Sequence, residues 1–142
     1  MRTVRQLLEA KTPELFAVAP DAPVIDAIRL MAAKGIGAVL VMDGSRLVGI
    51  LSERDYARKI VLEGRSSKDT PVSAIMTAQV IAVGPDHGVP GCMQLVTHNR
   101  IRHLPVIEQG AVVGMISIGD LVAAVIEDQQ HELDQLQRYI AG

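Results

Sequence analysis

The chain has 142 residues, 49% of them hydrophobic, with a net charge of −2 and a single cysteine, Cys92. That length suits one domain, and the apolar content belongs to a folded chain rather than a disordered one. A slightly acidic balance with only Phe16, Tyr56 and Tyr139 as aromatics offers nucleic acid neither a basic field nor a stacking platform, and one cysteine excludes an internal disulfide.

The longest apolar stretches, around Ile36–Met42 and Leu121–Ile126, are too short to span a bilayer. No long apolar segment follows Met1-Arg2-Thr3-Val4-Arg5-Gln6, so neither a signal peptide nor a membrane association is expected. These features are consistent with a cytoplasmic protein.

In chain order, Val4–Ala10 reads as a short helix interrupted by Thr12-Pro13. Leu15–Ala19 reads as a short strand ended by Pro20-Asp21. Val24–Lys34 is helical: Val24, Ala27, Ile28 and Met31 share one face, and Gly35 is a C-terminal stop. Ala38–Met42 is a buried strand, Asp43-Gly44 a hairpin turn, and Arg46–Leu51 the returning strand. Ser52 opens a helix to about Leu62. A polar, turn-rich segment from Glu63 to Pro71 follows.

The same order then recurs. A lead-in helix at Val72–Met76 precedes a strand at Val80–Val83 and a helix at Val89–Asn99. A strand at His103–Ile107, a turn at Gln109-Gly110, a strand at Val112–Ser117 and a helix from Gly119 complete it. The recurrence is a true repeat, because a shift of 65 positions carries Ala17–Ile60 onto Ala82–Val125 without a gap. Each repeat is small for an independent core, so two half-modules packed with pseudo-two-fold symmetry are expected, with paired clefts between them. The fold class is α+β, built from tandem strand–helix–strand–strand–helix repeats with a short N-terminal helix and a long C-terminal helix. Residues 1–64 form the first repeat with its lead-in helix, 65–71 the linker, 72–128 the second repeat and 129–142 a helical extension. Val122, Ile126, Leu133, Leu136 and Ile140 make a thin apolar stripe on the last helix, broken by Gln129. That stripe covers either its own module or a second subunit.

Each repeat carries a glycine, a serine and an aspartate at one spacing: Gly49, Ser52, Asp55 and Gly114, Ser117, Asp120. Ser-x-x-Asp is close to a helix capping box, which needs no ligand. It also stands where a strand gives way to a helix, whose free N–H groups and dipole favour an anion. A serine hydroxyl there suits a phosphate oxygen, a carboxylate one turn on suits a ribose diol, and the glycine admits a ligand to the backbone. Both readings stand on the sequence.

Other chemistry is poorly supported. His87, His98 and His131 read as surface residues, and no histidine pair has metal-ligand spacing. Cys92 lies on an apolar helical pattern, as a buried thiol would. Arg65 and Lys68 read as solvated linker residues. No nucleophile elbow, Walker loop or GxGxxG fingerprint occurs, and no catalytic residues are expected.

The duplicated βαββα order, the paired Gly-hydrophobic-x-Ser-x-x-Asp motifs and the stretch Arg102-His103-Leu104-Pro105-Val106 resemble a pair of CBS (cystathionine β-synthase) domains, a Bateman module. The resemblance runs from about Val4 to Asp128. It implies a non-catalytic regulatory sensor that binds adenine nucleotides (AMP, ADP, ATP, sometimes NAD or S-adenosylmethionine) in two clefts. It also implies a flat homodimer, with an unidentified effector protein as a further partner. Asp55 and Asp120 would take ribose hydroxyls, and Ser52 and Ser117 phosphate. The first cleft would combine Gly37, Ala38, Ile50, Ser52, Arg54 and Asp55 with Thr77, Val80, Ile81 and Ile101. The second would combine Arg102, His103, Met115, Ser117 and Asp120 with Lys11, Leu15, Phe16 and Ile36. The copies differ at Arg54 against Gly119 and at Gly37-Ala38 against Arg102-His103, so two unequal sites are expected. The alternative is an adaptor subunit of another enzyme or transporter, in which the Ser-x-x-Asp pairs are only caps.

Overall fold

A computed structural model describes residues 2–11 and 14–141. The predicted break at Thr12-Pro13 lies outside the described residues. The chain divides into two compact units, one of residues 14–81 and one that joins residues 1–13 to 82–142. The units therefore do not coincide with the sequence repeats. The N-terminal lead-in segment belongs with the second βαββα copy, and the segment around Val72 belongs with the first.

The unit of residues 14–81 holds β1 (Ala17–Val18), α2 (Val24–Lys34), β2 (Ala38–Asp43), β3 (Arg46–Ser52) and α3 (Glu53–Tyr56). A π-helical turn, Ala57–Val61, continues α3, and a single 3-10 turn, Val72–Ala74, stands where a longer helix was expected. β1 pairs parallel with β2, and β2 antiparallel with β3. The hairpin turns on Gly44-Ser45, one residue later than the Asp-Gly signal suggested, because Asp43 pairs with Arg46. Val24, Ala27 and Met31 from α2 meet Val39, Val41 and Leu51 from the sheet, with Ile60, Val72 and Ile75 completing the core. The helical spacing of three and four residues and the strand alternation put these side chains on facing surfaces. Gly35 ends α2 at φ 63, as its place after the last apolar position predicted.

The other unit holds α1 (Val4–Glu9), α4 (Val89–Asn99), β4 (His103–Glu108), β5 (Ala111–Ser117) and α5 (Ile118–Ala141). β4 and β5 form an antiparallel hairpin, and α1 packs on β5. Val4 and Leu7 of α1 are buried, each contributing roughly 1.5–3 kcal/mol by removal from water. Arg2 pairs with Glu127 and Asp128, and Arg5 with Glu108 and Asp86; these pairs are largely exposed and set register more than stability. Cys92 is fully buried in α4, and burial pushes its thiol pKa up.

One predicted strand does not form. Val80–Val83 contributes only a bridge from Val83 to Val106. The reason is a missing donor. In the first copy Leu40 N–H donates to the Phe16 carbonyl at 3.0 Å, which secures β1. The repeat counterpart of Leu40 is Pro105, which has no N–H to offer Ile81. Val83 keeps its own two bonds, donating to Pro105 O at 3.0 Å and accepting from Ile107 N at 2.9 Å.

Both hairpins carry a bulge at the same repeat position, after Val41 and after Val106. Their turns differ. Gln109 has φ 52 and Gly110 φ 79, whereas the first turn places Gly44 at φ 62. A left-handed glutamine costs about 1–2 kcal/mol, and asparagine tolerates that region better. Gln109→Asn should therefore stabilise the protein by roughly 0.5–1 kcal/mol, read as a higher midpoint in urea unfolding with an unchanged slope.

Candidate functional site

Each unit contains one strand-to-helix junction built on the predicted serine and aspartate. In the first, Ser52 caps α3: Asp55 N–H donates to Ser52 Oγ at 3.2 Å, and Ser52 N–H donates to Asp55 Oδ2 at 3.0 Å. In the second, Asp120 N–H donates to Ser117 Oγ at 3.2 Å, and Ser117 N–H donates to Asp120 Oδ2 at 2.8 Å. Both motifs are thus complete capping boxes. The reciprocal bonds satisfy two backbone donors per helix start and hold each carboxylate in one orientation. Capping does not use up a carboxylate, which has about four acceptor positions.

The surroundings of the two carboxylates differ. Thr77 Oγ1 donates to Asp55 at 3.3 Å from Oδ1, and Lys59 Nζ lies 3.4 Å from the same oxygen while donating to the Ile75 carbonyl at 3.0 Å. Thr77 is held there by paired backbone bonds with Ile50, at 3.0 and 2.9 Å. Asp120 instead receives a charge-assisted bond from Lys11 Nζ at 2.8 Å, and Lys11 also donates to the Met115 carbonyl at 2.9 Å. The Asp55 and Asp120 side chains are 14% and 25% exposed, so these partners act on groups partly withdrawn from water.

The expected neighbours divide between the two units. Gly37 O accepts from Glu53 N–H at 3.0 Å, and Ala38 pairs with Ser52, which sets the start of β2 beside the first junction. Arg102 O accepts from Ile118 N–H at 2.8 Å and His103 pairs with Ser117, the same arrangement at the second. Arg54 is half-buried in the first turn of α3. Val80 and Ile81 are half-buried in the loop beyond Thr77. Ile101 belongs to the unit opposite in chain assignment to Asp55, and Leu15, Phe16 and Ile36 to the unit that lacks Asp120.

The motif glycines have another role than the sequence suggested. A Cβ on Gly49 would stand 2.6 Å from Met76 Sδ and 3.0 Å from the Thr77 carbonyl. A Cβ on Gly114 would stand 2.6 Å from Leu8 Cδ2. The space that an absent side chain leaves is filled by each unit's lead-in segment, not by an approach path for ligand. Sequence reasoning also missed Lys59. Its spacing of four residues from Asp55 on one helix was the available signal.

His87, His98 and His131 are exposed, and His87 Nδ1 accepts from Gly84 N–H at 2.9 Å within its own turn. Among the described residues, no group of three His, Cys, Asp or Glu side chains is placed to hold a metal ion, and no helix is long and apolar enough to cross a membrane.

Burial alone would raise the Asp120 pKa. The hydrogen bond from Lys11, the Ser117 N–H and the Lys11 charge together outweigh it and hold the carboxyl below its ordinary value. A depressed folded-state pKa contributes stability that is complete above the unfolded value of about 3.9 and is lost as pH falls through the folded value. The melting-temperature advantage of the native protein over Asp120→Asn should therefore be full at pH 6–7 and shrink below about pH 4, as thermal melts across that range would record.

The family model of the CBS domain matches residues 4–62 and 72–127. A mitochondrial CBS domain-containing protein of Arabidopsis thaliana, CBSX3, is 46% identical over 127 residues, covering 86% of this chain. The chain spans 62% of that relative's length. The solved structure of a CBS-domain protein from Burkholderia ambifaria MC40-6 has 53% identity and a TM-score of 0.87, covering 90% of this chain and 96% of its own. A CBS domain protein from Pyrobaculum aerophilum, solved in complex with AMP, has 25% identity and a TM-score of 0.75, covering 84% and 89%. Duplicated sequence, two like-built junctions and these matches agree: the chain belongs to the CBS domain family and carries a tandem pair of CBS domains.

Proposed function

We propose that this CBS pair is a non-catalytic regulatory module that binds adenine nucleotides at two unequal sites, one at Asp55 and one at Asp120. The observation that carries the proposal is the duplicated, oriented carboxylate at a helix start. A carboxylate fixed by its own backbone bonds presents its remaining acceptor positions without reorganisation, and a ribose diol supplies two matching donors. The AMP complex of the Pyrobaculum aerophilum protein supports this ligand class. Ser52 with Arg54, and Ser117 with Arg102 and His103, take the phosphate. Gly37, Ala38, Ile50, Val80 and Ile81 offer the base an apolar surface at the first site, and Met115 does so at the second. ATP and NAD are ligands of the same chemical class.

Ligand occupancy then shifts the population between two arrangements of the protein, by binding one better than the other. The assembly proposed is a homodimer. In its support, Val122, Ile126, Leu133, Leu136 and Ile140 of α5 are exposed, at alternating spacings of three and four residues once Gln129 is included. That spacing is the seam of a helix that pairs with another helix.

The satisfied capping boxes favour one competing reading, an adaptor subunit that needs no nucleotide. Titration calorimetry with AMP separates them. Asp55→Ala and Asp120→Ala should each abolish one of two binding events while circular dichroism shows the fold retained. A wild-type protein that binds no AMP, ATP or NAD would establish the adaptor reading in its place.

A further inference from the structure

The two carboxylates are neutralised from different places in the repeat. Lys59 approaches Asp55 from its own helix, and its repeat counterpart is Ala124. Lys11 approaches Asp120 from the lead-in segment, and its counterpart is Met76. Among the described residues, each carboxylate pairs with one lysine, and the two lysines are not related by the repeat.

Their grips differ in kind. At Asp55 the hydrogen-bonding partner from the lead-in side is a neutral hydroxyl, Thr77 Oγ1 at 3.3 and 3.5 Å, and the ammonium of Lys59 stands at 3.4 Å. An incoming sugar hydroxyl can replace the threonine hydroxyl like for like. At Asp120 the partner is an ammonium at 2.8 Å, fixed by a second bond at 2.9 Å to the Met115 carbonyl. Charge-assisted bonds of this length are about twice as strong as neutral ones. Lys11 and the Ser117 N–H both bond Oδ2, so a diol at Asp120 meets a carboxylate whose charge that ammonium already neutralises.

We infer that Lys11, by its close pairing with Asp120, weakens that carboxylate as an acceptor, which sets the affinity of the second site below that of the first and makes the two fill in order, Asp55 before Asp120. This inference rests on the nucleotide reading above and adds the order of filling and the residue that imposes it. Lys11 holds the second carboxylate in a neutralised state, which makes its remaining acceptor positions weaker for the ligand's hydroxyls.

Lys11→Met tests it, since methionine is the residue at the equivalent position of the other repeat and packs there beside the motif glycine. AMP is titrated calorimetrically into Asp55→Ala, which leaves only the second site, and into Asp55→Ala/Lys11→Met. The expected result is a rise in affinity of several-fold to about tenfold on removal of Lys11, with Lys11→Arg, which keeps the charge, close to the parent. Equal or weaker binding by the Lys11→Met protein, with melting curves that show both proteins folded, overturns the inference while leaving the nucleotide reading intact. Binding by neither protein, nor by the wild type, overturns both. Binding by the Lys11→Met protein alone supports the inference in its strongest form.

Discussion

The structure turns on one local interaction made twice, the reciprocal clasp between a serine and the aspartate three residues on. It joins the last residue of a strand to the first turn of a helix. With one bond at 3.0 Å and another at 3.2 Å around Ser52 and Asp55, the chain passes from extended to helical backbone within a residue. The same clasp at Ser117 and Asp120 starts the long helix α5. Everything proposed about ligand follows from the by-product of this clasp, a carboxylate held still at a helix start.

An internally satisfied clasp needs no ligand to hold it. The energetics nonetheless favour one. A carboxylate free to rotate would lose entropy on binding a diol, whereas one already fastened through Oδ2 loses little. The structural and the ligand-binding roles therefore share the same residues, and the capping box prepares the acceptor. What separates the sites is the third partner: a hydroxyl and a distant ammonium at Asp55, a close ammonium at Asp120.

Much of this was legible in the sequence because it is local. The apolar periodicity of Val24–Lys34 and Val89–Asn99 gave both helices with the boundaries observed. The Ser-x-x-Asp spacing is a property of one helical turn. Pro105 also acts locally, but its effect falls on a partner more than twenty residues earlier, so the loss of the Val80–Val83 strand needed the pairing to be known. The roles of Gly49 and Gly114 were not legible at all. Their close neighbours, Met76 and Leu8, come from lead-in segments whose packing is set by tertiary structure. Lys11 was expected near Asp120 only through family likeness, and the ion pair that gives it significance is a matter of distance, not of type.

The central claim is that these clasped carboxylates receive the two hydroxyls of a ribose. The most direct measurement compares the affinity of the wild-type protein for AMP with its affinity for the analogue lacking both the 2′- and 3′-hydroxyls. Two hydrogen bonds to a charged acceptor are lost in that analogue, so its binding should be weaker by about a hundredfold or more. Equal affinity for the two compounds would contradict the claim, since the carboxylates would then not be reading the sugar.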